Sequence, residues 1–208
     1  VMAMGLTVFG SATFAMLYSF VGSLLAFFGI TILLKRFLPK ENKSGLAVFF
    51  STAFVLSPFV QFQTSEDMKV DLALTGIGAG VMLLVAELFR EGERKYEFTY
   101  VGMIGSMLGV MLGIKFTALL FLFFVALLLA WKYGRAWMMG GVVSFFVAFV
   151  FAANTIRYGG INLLPEVRMQ IAQIVAVIGV VCVAFSIFHS KGKKAVLVLV
   201  QLGCMAFL

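Results

Sequence analysis

Three of the nine acidic residues of this 208-residue chain fall within six positions, as Glu66, Asp67 and Asp71 of the polar stretch Gln63-Thr64-Ser65-Glu66-Asp67-Met68-Lys69-Val70-Asp71. Long apolar runs flank that stretch on both sides. A carboxylate drawn into hydrocarbon costs about 2.5–3.5 kcal/mol on insertion scales, so an acid at the mouth of an apolar helix needs a partner or a purpose. Asp71 stands one turn beyond Asp67 on the same helix face, where like charges repel by about 0.2–0.5 kcal/mol. Carboxylates so placed can act as a general base or orient an incoming acceptor, and Asp67 and Asp71 are the catalytic candidates. A plainer account also fits: Thr64 or Ser65 caps the helix and Glu66 and Asp67 complement its dipole, an arrangement typically worth about 1 kcal/mol. That account serves Glu66 best and weakens deeper into the helix.

Cations that could face these acids are few. Lys115, in Gly113-Ile114-Lys115-Phe116-Thr117, interrupts an apolar stretch of more than thirty residues. It can snorkel from a tight turn to the interface, or hold a lipid phosphate as a compact point charge. The loop Asn154-Thr155-Ile156-Arg157-Tyr158-Gly159-Gly160-Ile161-Asn162-Leu163-Leu164-Pro165 offers a cation, an aromatic ring and amides. Arg157 can fork onto phosphate oxygens and Tyr158 can stack on a sugar or headgroup; a solvated loop with an interfacial aromatic accounts for them equally simply. Glu66, Lys115, Asn154, Arg157 and Tyr158 are therefore the substrate-binding candidates. Cys182, Cys204 and His189 match no metal or redox spacing and read as inert thiols and a solvated helix end. No cofactor is indicated, and a divalent metal stays open.

The elements that position these residues follow from composition. At 62% hydrophobic and 12% charged, with mean hydropathy +1.10, the chain departs from soluble domains, which are about 45–50% apolar and about 25% charged. Its apolar runs are long enough for helices and lack the alternation of barrel strands, so the expected class is all-α, a polytopic transmembrane helix bundle. The runs predict spans at about 14–34, 45–62, 71–89, 98–114, 116–131, 136–153 and 169–188, with a short final run at 195–208. That makes about seven to eight spans in a single transmembrane domain, 1–208, expected to belong to a longer chain.

Every second loop is basic: Lys35, Arg36, Lys40 and Lys43; Arg90, Arg94 and Lys95; Lys132 and Arg135; Lys191, Lys193 and Lys194. These are twelve of the sixteen basic residues, and Lys69, Lys115, Arg157 and Arg168 fall on the opposite side. The positive-inside rule puts the twelve in the cytoplasm. It also accounts for the net charge of +7, which in a soluble protein would suggest nucleic acid; none is expected here. The acidic stretch, Lys115 and the 154–165 loop then share the non-cytoplasmic face. Gly105, Gly109 and Gly113 recur at four-residue spacing, which predicts a smooth packing ridge. Gly76, Gly78 and Gly80 form no ridge and no phosphate loop.

In order and spacing, these residues resemble a known family. Ser57-Pro58, then Thr64 to Asp71 opening an apolar helix, then Tyr100-Val101-Gly102 and Gly105 to Lys115-Phe116-Thr117-Ala118-Leu119-Leu120, look like the membrane core of the GT-C glycosyltransferases. The protein O-mannosyltransferases and aminoarabinose transferases belong to that group. The 154–165 loop is similar to a later pattern of Asn, Gly, Asn and Pro, so the likeness runs from about Val48 to Pro165.

The resemblance implies a bacterial or archaeal plasma-membrane enzyme that moves a sugar from a polyprenyl-phosphate donor to an acceptor at the outer face. A carboxylate would serve as base while cations hold the departing phosphate, roles that would fall to Asp67 or Asp71 and to Lys115 and Arg157. The family's principal acid lies in a first outer loop, and residues 1–13 carry no acid. That loop is expected upstream of Val1, unless the chain is an inactive relative or subunit. The alternative function is a non-catalytic membrane subunit or a transporter of lipids or small solutes, with Asp71 and Lys115 as an ion pair.

Overall fold

In a computed structural model the described residues are 13–39, 41–58, 60, 71–90, 97–155, 164–189 and 192–207, with side chains except for 13–19 and 71. Seven helices occupy them: α1 (Thr13–Phe37), α2 (Lys43–Val55), α3 (Asp71–Phe89), α4 (Glu97–Ile114), α5 (Ala118–Ala153), α6 (Pro165–Phe188) and α7 (Gly192–Phe207). The described residues include no strand. By length and composition α1, α3, α4, α5 and α6 can each cross a membrane. Their outward apolar side chains, such as Phe20, Phe28 and Ile32 on α1 and Ile174, Val177 and Val181 on α6, suit a hydrocarbon solvent and would be a liability in water.

The chain forms two compact units, one of Val1–Lys95 with Ser106–Ala118, the other of Tyr96–Gly105 with Leu119–Leu208. In the first, α1 and α3 cross through small residues. A Cβ at Gly76 would stand 2.7 Å from the carbonyl carbon of Leu25 and 2.8 Å from the amide nitrogen of Ala26, and one at Gly29 would stand 3.0 Å from the Gly76 carbonyl oxygen. Close backbone approach of this kind maximises dispersion where hydrocarbon supplies no hydrophobic drive between helices. Gly22 meets Ala73, Gly29 meets Gly76 and Ala79, and Arg36 Nη2 bonds Glu87 Oε1 at 2.6 Å. Those contacts ascend together, so α1 and α3 are parallel, and Arg36 and Arg90 both stand beside Glu87 at one end.

α2 covers the first part of the second expected span, and Pro58 and Val60 beyond it are again helical. It ends at Val55, where Leu56 donates its amide to Thr52 O and Ser57 donates to Phe54 O. The tightened turn precedes Pro58, which disfavours helical geometry at Ser57. Its 13 residues rise only about 20 Å, short of a hydrocarbon core of about 30 Å.

In the second unit, α5 is two helices folded back on each other. Arg135 has φ 57 and ψ −152, and the rings of Phe123 and Phe146 stack with centroids 4.0 Å apart. In a straight helix those two residues would be about 34 Å apart at ~1.5 Å per residue. The arms, 118–134 and 136–153, match the two expected spans on either side of Lys132 and Arg135. Ser186, buried on α6, donates its hydroxyl to the Gly134 carbonyl at 3.3 Å, satisfying an oxygen that the break releases. A conformation close to one essentially reserved for glycine costs a bulky residue about 1–3 kcal/mol. Arg135→Gly should therefore stabilise the protein by about 1 kcal/mol, seen as a higher midpoint of thermal unfolding in detergent; a lower midpoint would show that the arginine side chain holds the turn.

α7 lies parallel to the first half of α4. Lys194 pairs with Glu97, Gln201 Nε2 donates to Phe98 O at 2.9 Å, and a Cβ at Gly105 would meet Met205 Cβ at 2.6 Å. Of the expected ridge, Gly105 is therefore a packing residue, whereas among the described residues nothing stands within 4 Å of a Cβ at Gly113.

Candidate functional site

Asp71 is the first residue of α3, and Lys115 directly follows the last residue of α4. The two helices pack where a Cβ on Gly80 would stand 3.7 Å from Met107 Cε. Only residues 90–96 join Phe89 to Glu97, so the helices run antiparallel. Asp71 lies nine positions before Gly80 and Lys115 eight after Met107. At ~1.5 Å per residue the two positions stand about 13 and about 12 Å from the crossing, in the same direction along the pair.

Lys115 is built into a turn. Its amide donates to Met111 O at 2.9 Å and its carbonyl accepts from Ala118 N at 3.0 Å, which joins α4 to α5 in three residues. The lysine is half-buried and Phe116 beside it is exposed, a pairing suited to the headgroup level.

Asn154 belongs to the second unit. It sits in a wide π-type turn that ends α5, where Thr155 Oγ1 donates to Phe151 O at 2.9 Å. π-bulges often occur at functional sites. Its carbonyl accepts Arg168 Nη1 at 3.0 Å, tying the end of α5 to the first turn of α6. Glu66, Asp67, Arg157 and Tyr158 lie outside the described residues.

Two polar groups escaped the sequence reading. Glu97 accepts hydrogen bonds from the Tyr133 hydroxyl and, at 2.5 Å, from Lys194 Nζ. Lys194 also stands 5.4 Å from the Tyr133 ring centroid, within cation–π range. This cluster gathers the start of α4, the break in α5 and the start of α7. A lone carboxylate heading an apolar helix was a signal, but its partner 97 positions later was not. The second group is Arg168, 7% exposed on α6, which the sequence reading marked only as a cation on the sparse side. Among the described residues no group of three or more His, Cys, Asp or Glu gathers to hold a metal ion.

The described residues define an all-helical, multi-pass integral membrane protein with polar groups concentrated at helix ends. Comparison with protein-family models, with curated proteins and with solved structures finds no match to the chain.

Proposed function

We propose that the protein is a GT-C-type transferase, moving a sugar from a polyprenyl-phosphate donor to an acceptor at the non-cytoplasmic face. The observation that carries the reading is the shared height of Asp71 and Lys115 on the antiparallel α3–α4 pair, at the end away from the basic loops. A carboxylate and a cation at one membrane face are the two groups a phosphate-leaving displacement needs. Asp71 takes the proton of the acceptor nucleophile, which attacks the anomeric carbon as the bond from that carbon to the phosphate oxygen breaks. Lys115 neutralises the charge that gathers on the departing phosphate. The ordered likeness from Val48 to Pro165 supports the same assignment, with Glu66, Asp67, Asn154, Arg157 and Tyr158 as further site candidates.

The test is release of labelled sugar from a polyprenyl-phosphate donor by the purified protein in lipid nanodiscs. Lys115→Gln should lower turnover about tenfold or more, since a charged hydrogen bond to the leaving group contributes about 1.5–3 kcal/mol. Sugar release by wild type that Lys115→Gln leaves unchanged would remove Lys115 from the mechanism. No release by wild type, with stability lost in Lys115→Asp and restored by adding Asp71→Lys, would move the assignment to a transporter or non-catalytic subunit.

A further inference from the structure

Arg168 is a charged side chain that the fold buries and does not fully satisfy. It is 7% exposed, and its Nη1 donates to the Asn154 carbonyl at 3.0 Å. Its Nε is buried and has no hydrogen-bond partner among the described residues. A buried N–H left unpaired on a charged group costs the full desolvation of that donor, so native structures seldom leave one without a ligand or a role. With Nη1 engaged, the edge of the guanidinium that carries Nε and Nη2 remains, and that edge has the two parallel donors that match a phosphate or carboxylate.

A second observation concerns the helix that bears it. α6 starts with Pro165, and among the described residues its N-cap, Leu164, makes no side-chain cap hydrogen bond. Pro165 has no N–H, so the amides of Glu166 and Val167 are the first-turn donors that can bind an anion. Arg168 lies in the following position and its amide is already taken by Leu164 O at 3.1 Å. Glu166 in the same turn is exposed, directed away from the interior that holds the guanidinium.

We propose that the first turn of α6 and the Nε edge of Arg168 form a phosphate-binding site. That the phosphate is carried on a lipid rests on the function proposed above; the phosphate chemistry itself does not. Arg168 then binds a lipid phosphate within the second unit.

The experiment titrates farnesyl phosphate, farnesol and inorganic phosphate into the full chain in nanodiscs, with arginine side chains labelled with nitrogen-15. The Arg168 Nε–H resonance, assigned by its disappearance in Arg168→Lys, should move on adding farnesyl phosphate and stay still with farnesol. Affinity for farnesyl phosphate should fall about tenfold in Arg168→Lys, which keeps the charge but loses the fork. An equal response to inorganic phosphate would retain the site and assign it to the free anion. A resonance unmoved by either phosphate, or wild-type affinity in Arg168→Lys, would overturn the site. Sugar transfer persisting beside that result would leave the transferase standing, whereas phosphate binding without transfer would leave only the site.

Discussion

Asp71→Asn is expected to lower sugar release from a polyprenyl-phosphate donor by about 100-fold or more, because a positioned general base contributes about 10²–10⁴-fold. The amide keeps the size and most of the hydrogen bonding of the carboxylate but cannot accept the acceptor's proton. Asn and Asp have similar helix propensity, so α3 itself should be little affected. Thermal midpoint and helix content should therefore stay close to wild type while turnover collapses. The measurement is turnover at saturating donor together with donor affinity: loss confined to turnover identifies the base. Equal turnover in wild type and Asp71→Asn would dismiss Asp71 from catalysis and shift attention to Asp67. A variant that loses stability with its activity would instead assign Asp71 to the α3–α4 end as a structural charge.

Gly76→Ala should destabilise the protein by about 1–3 kcal/mol, the usual cost of forcing extra volume into a tightly packed crossing. The added methyl would meet backbone atoms of Leu25 and Ala26 at 2.7 and 2.8 Å, and backbone cannot rotate away as a side-chain end can. α1 and α3 must separate to admit it, which also strains the Arg36–Glu87 pair at the same crossing's far end. Gly80→Ala provides the contrast. Its methyl would stand 3.7 and 3.8 Å from the flexible end of Met107, an ordinary contact, and the helix gains the propensity difference of about 0.5–1 kcal/mol between glycine and alanine. Thermal unfolding in one detergent should place Gly76→Ala below wild type and Gly80→Ala at or above it. Similar midpoints for the two variants would show that α1 and α3 do not approach so closely.

How much of this was legible in the sequence varies with the kind of feature. The end of α4 before Lys115 could be read directly, because a charge beside an apolar run marks where a helix meets water. The break in α5 was legible for the same reason: Lys132 and Arg135 interrupt a run too long for one crossing. The end of α2 at Val55 was written in Ser57-Pro58, but hydropathy, which runs on through the apolar residues that follow, does not register such a break.

The site was less legible than the fold. Asp71 and Lys115 could each be singled out as costly charges, yet their common height depends on Gly80 packing at Met107. Arg168 looked like one more loop-side cation until burial of its guanidinium set it apart. Gly105, Gly109 and Gly113 looked equivalent by spacing, but Gly105 touches α7, whereas among the described residues nothing stands within 4 Å of a Cβ at Gly113. Gly76, which belongs to no ridge, proved to be the α1–α3 crossing. A glycine reports only that something can come close; its partner is a property of another helix.

By itself, then, the sequence determined an all-helical chain, most helix boundaries and the alternation of basic and sparse ends. The reason is that hydrocarbon acts on each residue separately, penalising every charge and every unbonded backbone group wherever it lies. Only the tertiary structure decided that Glu97 meets Tyr133 and Lys194, that Phe123 stacks on Phe146 across a folded-back helix, and that Arg168 is sheltered with a donor unspent. Those outcomes depend on which faces come together, and in a bilayer that choice is made by close small-residue packing and directed hydrogen bonds rather than by hydropathy.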